Sequence, residues 1–142
     1  MGPVDARYRL SLAEGFLKEA EAAREHELHR AAVDAAQLSV ENSAKAVVAL
    51  CRPVPRIHEL SGVVDALMSE DEFDDSERQS LARLRELAEM LGFETHVRTD
   101  YGDELQGVTP WDLYDEAEAR KAITYASEAL RIASGLVERR LG

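Results

Sequence analysis

The sequence predicts an all-α fold, an antiparallel up-and-down helical bundle of about five helices. Three observations lead there. Apolar residues recur at intervals of three and four along most of the chain, which is the period of a helix with one buried face. No stretch shows the strict alternation of a half-buried strand. The breaks between periodic segments are short clusters rich in proline, glycine or acidic residues. With 142 residues, the chain is long enough for one core, so residues 1–142 are read as a single domain.

The first helix is expected from about Asp5 to Arg24, with Tyr8, Leu12, Phe16 or Leu17, and Ala20 forming its apolar stripe. Glu25-His26-Glu27 then reads as a turn. A second helix follows from about Leu28 to Leu50. There Ala32, Ala35, Ala36, Val40, Ser43, Val47 and Leu50 trace a narrow seam of small residues that lets neighbours approach closely. Pro53 and Pro55 end it, because proline lacks an amide donor and biases the preceding residue toward extended backbone. The third helix is expected from His58 to about Ser69, turning Leu60, Val63, Val64 and Leu67 inward.

Asp74 or Asp75 is a suitable N-cap for a fourth helix beginning near Ser76. Leu81, Leu84, Leu87, Ala88 and Leu91 give this helix a strong period, and Gly92 with the residues up to Asp100 predicts a frayed or kinked end. Residues 101–110 hold two glycines and a proline and form the longest loop. The last helix starts near Pro110 or Asp112 and reaches about Arg139, facing a neighbour with Ala122, Ala126, Ala129, Ala133, Leu136 and Val137. The long second and last helices are expected at the centre of the bundle.

Composition narrows the function classes. Hydrophobic residues make up 45% and charged residues 32%, the balance of a chain that folds in water. A net charge of −11 weighs against non-specific nucleic-acid binding by the whole surface. It leaves room for a local basic cleft built from Arg52, Arg56 and Arg98, and an acidic surface also suits a basic protein partner. No apolar run approaches the roughly 20 residues of a membrane span, and the start MGPVDARYRL lacks an apolar signal core. Ala6 stands where a myristoylation pattern after Met1-Gly2 needs Ser or Thr. The expected location is the cytoplasm, without membrane contact. The lone Cys51 has no internal disulfide partner and reads as a small apolar residue at a helix end.

Glycine-rich phosphate loops, nucleophile elbows and zinc spacings are missing from the sequence, so kinase, hydrolase and metalloprotease chemistry has no motif and no cofactor is expected. His26 and His29, flanked by Glu25 and Glu27, fall in a turn with neither cysteine nor a third histidine nearby. They read as solvated loop residues, and no metal is expected. Glu41 and Lys45 stand four apart, in the orientation that favours an ion pair worth about 0.2–0.5 kcal/mol on a helix surface. They either line a nucleotide or partner groove or form a partly exposed structural pair.

Arg52 and His58 are separated by five residues. An imidazole with a pKa near about 6.5 can move the proton of a ribose 2′-hydroxyl, and a guanidinium can stabilise charge on phosphate oxygens. Alternatively, His58 anchors the first turn of the third helix to the second, and Arg52 meets the terminal carbonyls of the second. Arg98, Asp100 and Tyr101 form another candidate cluster, in which Arg98 can grip a phosphate with two parallel hydrogen bonds. Trp111 and Tyr114 either stack a base or join the core or a dimer contact.

These residues also carry a resemblance. Ala36, Glu41, Lys45, Ala46 and Leu50, then His58-Glu59-Leu60, then Arg98 and Tyr101, then Thr109-Pro110-Trp111 and Tyr114 before an alanine-rich last helix together resemble the HEPN domain family over nearly the whole chain. The resemblance implies a compact helical bundle, often a homodimer, and prokaryotic members are often encoded beside a minimal nucleotidyltransferase, sometimes as toxin and antitoxin. Many catalytic members are metal-independent endoribonucleases that use an arginine followed by a histidine after four to six residues. Arg52 and His58 match that spacing. In the catalytic members the element lies near the end of the fourth helix, where this chain has Arg98 with no histidine from Thr99 to Glu104. The implied catalytic residues are Arg52, His58 and Arg98, with Glu41, Lys45, Asp100 and Tyr101 binding nucleotide or RNA. The implied function is a HEPN protein acting with a minimal nucleotidyltransferase partner; the alternatives are an endoribonuclease toxin and a non-catalytic helical adaptor.

Overall fold

The second helix is the axis of the molecule. In the computed structural model, which describes residues 3–142, the chain runs as α1 (Pro3–Glu25), α2 (His29–Val48), α3 (Ser61–Leu67), α4 (Asp75–Met90), α5 (Phe93–Tyr101), α6 (Pro110–Leu113) and α7 (Glu116–Leu141). The Met1–Gly2 start lies outside the described residues. From Ala32 to Val48 nearly every α2 side chain is buried, because α1 and α7 cover it lengthwise and α3, α4, α5 and α6 close the remaining sides. Alanines make this packing feasible: Ala6, Ala13 and Ala20 of α1 and Ala119, Ala122, Ala126, Ala129 and Ala133 of α7 are all buried. Small residues at seven-residue and three-to-four-residue spacing bring helix axes close together. Leu60, Val64, Leu67, Phe73, Leu81, Leu84 and Leu87 fill the wider end.

Helix boundaries follow local chemistry. Glu27 takes a positive φ of 59° in the turn between α1 and α2. Asp74 caps α4 in a reciprocal box, accepting from the Glu77 amide at 2.8 Å while the Glu77 carboxylate accepts from the Asp74 amide at 3.0 Å. Asp115 caps α7 by accepting from the Glu118 amide at 2.9 Å. Arg140 lies over the Phe73 ring at 4.5 Å and ties the end of α7 to the acidic turn before α4.

Several boundary expectations are corrected. The helical bundle is as expected, and among the described residues it runs as seven helical segments, because the short α5 and α6 stand apart from the longer helices. The third helix begins at Ser61 rather than His58, because the chain stays irregular from Pro53 to Leu60. The Glu59 carboxylate accepts from the Ser61 amide at 3.1 Å at that helix start. Residues 93–101 form a helix of their own, and the predicted last helix divides into α6 and α7 where Tyr114 turns extended. Within the long loop, Asp103 and Val108 exchange two backbone hydrogen bonds in an isolated antiparallel bridge. Gly102 enters that bridge with a φ of 70°, and a Cβ there would collide with the Val108 carbonyl. The α1 stripe is also shifted: Tyr8 is 59% exposed, and Ala6, Ala13 and Ala20 face inward.

Candidate functional site

Three consecutive turns of α2 place Gln37, Glu41 and Lys45 in one column, and all three are buried. Residues four apart lie one above another on a helix. Lys45 Nζ donates to Glu41 Oε2 at 3.0 Å, and Gln37 Nε2 donates to Glu41 Oε1 at 3.3 Å. The irregular segment after Pro55 then brings His58 Nδ1 to 2.9 Å from the same Glu41 Oε1. A carboxylate paired with lysine only accepts, so His58 Nδ1–H donates to Glu41. The His58 side chain is 47% exposed, which leaves the ring accessible from solvent.

α5 supplies the other wall. The His96 ring stacks on His58 with centroids 4.0 Å apart and planes at 18°, and Phe93 lies 6.5 Å from both rings. Glu59 holds this helix in place by accepting from the Phe93 amide at 3.3 Å. Gly92 is needed there, because a Cβ would collide with the Glu59 carboxylate and the Ala88 carbonyl. At the far end of α5, Arg30 donates to the Thr99 carbonyl at 2.8 Å and Thr99 Oγ1 donates to Asp34 at 3.2 Å. Gln37 Oε1 in the column and His96 Nδ1 on α5 are buried with no hydrogen-bond partner among the described residues, so both walls carry polar capacity that the helices do not fill.

The arrangement gathers Glu41, Lys45 and His58 and separates the two arginines from them. Arg52 pairs with Glu70 in the acidic turn that follows α3. Arg98 pairs with Glu94 one turn back at 3.6 Å and also meets Tyr114. Burial pushes the Tyr114 phenol above its ordinary value of 10.0, against the opposing pull of Arg98. Asp100 pairs with Arg30 at 3.9 Å, and Tyr101 is 63% exposed at the end of α5. Trp111 is 72% exposed, whereas Tyr114 is partly buried against the core. The described residues hold no cluster of three or more histidine, cysteine or acidic side chains able to bind a metal.

Chemically, Glu41 and His58 form an oriented carboxylate–imidazole pair, the arrangement that fixes a tautomer for proton transfer. Sequence reading missed Gln37, Phe93 and His96. The available signal was the pair of glycines, Gly92 and Gly102, that bracket residues 93–101 as a short helix.

A family model for the HEPN domain matches residues 6–136. The crystal structure of TT1696 from Thermus thermophilus superposes with a TM-score of 0.70 at 19% sequence identity, covering 92% of this chain and 97% of that one. At that identity the likeness concerns the fold. No curated protein matches the chain. An all-helical bundle with this helix order, matched by the family model from the first helix into the last, places the chain in the HEPN domain family.

Proposed function

We propose that this chain is the HEPN component of a cytoplasmic two-component, toxin–antitoxin-like module. In this reading residues 1–142 act as one helical domain, pair with a second copy and work with a minimal nucleotidyltransferase, binding nucleotide or RNA without cutting it. The observation that carries the reading is the separation of charged groups. Arg52 is engaged by Glu70 and Arg98 by Glu94 and Tyr114, while His58 is engaged by Glu41. Phosphodiester cleavage needs the proton-transfer group and the charge-stabilising group around one phosphorus atom. Within one chain neither arginine stands with His58, and Lys45, which does, is buried against Glu41. A tagged chain purified gently from its native host is expected to carry a nucleotidyltransferase in comparable amount, identified by mass spectrometry; its absence would overturn the partner reading.

One observation favours a second reading as a metal-independent endoribonuclease. His58 has a carboxylate on Nδ1 and an accessible ring, which is how a general acid–base group is held. Here a second copy supplies Arg52 or Arg98 to the His58 of the first. Incubation with a mixed RNA pool in chelator, alongside Arg52→Ala, His58→Ala and Arg98→Ala, tests it. Cleavage that survives chelator and disappears in His58→Ala establishes the enzyme, and intact RNA throughout removes this reading.

A further inference from the structure

We propose that the outward face of α5 docks a basic amphipathic helix of a partner protein; this rests on the partner-binding reading above and names the chemistry of the contact. Phe93, Val97 and Tyr101 recur at intervals of four and make one apolar stripe. Phe93 is 46% and Tyr101 63% exposed, and Leu105 just beyond them is fully exposed. The opposite face of the same helix is already used, since Thr99 is buried against Asp34 and His96 stacks on His58. With about 100° per residue, Glu94 and Asp100 fall on opposite flanks of the stripe. Glu94, Val97, Arg98, Tyr101, Glu104 and Leu105 are among the residues that line one hollow of about 350 Å³. Eight residues of helix rise roughly 12 Å, which matches about two turns of a partner helix packed alongside.

Charge chooses the occupant. The stripe is flanked by Glu94, which faces Arg98 at 3.6 Å, and Asp100, which faces Arg30 at 3.9 Å. It is continued by Asp103, tied into its own loop bridge, and the exposed Glu104, so the carboxylates outnumber the arginines by two. A second copy laid on this face across a two-fold axis would set these carboxylates against their own equivalents, which is unfavourable. A helix with a leucine or isoleucine seam and flanking lysines or arginines buries the stripe and meets the carboxylates. An exposed apolar strip with a rim that is acidic on balance suits this kind of contact.

The test uses two labelled 18-residue amphipathic peptides of the same leucine pattern, one flanked by lysine and one by glutamate, followed by fluorescence anisotropy against the full chain. The lysine peptide is expected to bind saturably, weaken with salt, and lose at least tenfold in affinity to Val97→Asp. In the double surface variant Glu94→Lys/Glu104→Lys the preference should pass to the glutamate peptide, which keeps the test valid if Val97→Asp fails to fold. Equal binding of both peptides, or lysine-peptide binding untouched by both variants, would overturn the proposal. So would absence of peptide binding, including the case where sedimentation shows self-association through this face. The partner reading is separated by one further arm. A nucleotidyltransferase that co-purifies equally with wild type and Glu94→Lys/Glu104→Lys refutes the docking face alone, and none with wild type refutes the partner reading.

Discussion

Replacing Glu41 by leucine should cost far more than the loss of a surface ion pair. Glu41 is 5% and Lys45 7% exposed, and Glu41 also accepts from Gln37 and His58. Removing one member of a buried pair leaves the other charge uncompensated, a penalty of roughly 3–5 kcal/mol. Against a total stability of about 5–15 kcal/mol for a domain, that is a large fraction. Glu41→Leu/Lys45→Met removes both charges at similar volume and leaves mainly the Gln37 amide unsatisfied, at about 1–3 kcal/mol. The double variant should therefore recover about 2 kcal/mol of what the single variant loses. Urea unfolding followed by circular dichroism reads this directly. With a slope of about 1–3 kcal/mol per molar, the two midpoints should differ by roughly 1 M. Coincident midpoints, or a single variant indistinguishable from wild type, would refute the buried-pair argument.

Further expectations rest on separate contacts. Leu84, fully buried in the core, should cost about 2–5 kcal/mol as Leu84→Ala in the same urea experiment. Gly102→Ala should lower the melting temperature measured by calorimetry, because a side chain at φ 70° meets the Val108 carbonyl. Glu128 is held below its ordinary value of 4.5 chiefly by hydrogen bonds from Arg83 at 2.7 and 2.9 Å. A carboxylate depressed in the folded state adds stability above its unfolded pKa and loses it as pH falls through the folded one. The gap between wild type and Glu128→Gln should thus be full at neutral pH and shrink below about pH 4.5; a gap that is constant with pH would count against the ion pair. Burial, then Glu72, pushes the Cys51 thiol above its ordinary value of 9.0, so alkylation at pH 8 should be slower than for a free thiol and speed up on unfolding.

Periodicity carries much of the fold. The buried leucines of α4 and alanines of α7 fall where their spacings put them, and of the two N-cap candidates Asp74 caps α4. The errors cluster where two elements determine an outcome jointly. The stretch from Phe93 to Tyr101 reads as a fraying end because Gly92 interrupts the helix before it and mostly polar residues follow. Those polar residues are the ones that α2 and the His58 segment bind: Thr99 meets Asp34, and His96 meets His58. Apolar spacing assigns Tyr8 to the inward stripe, whereas close packing on α2 selects the alanines of α1. The i to i+4 pair of Glu41 and Lys45 is legible from spacing, but its burial is not, since that depends on what covers α2.

By itself the sequence determined the helical class, the approximate course of the long helices, an aspartate cap before α4, the alanine faces of α2 and α7, and the family. These are properties of neighbours within about a turn or two, where spacing and backbone chemistry decide. Only the tertiary structure decided which charges share a site. It took His58 to Glu41 on α2 and to His96 on α5, sent Arg52 to Glu70, and left Arg98 with Glu94 and Tyr114. Those partnerships are set by how the path after Pro55 and the short helix α5 close over α2, a result of packing that no local pattern encodes.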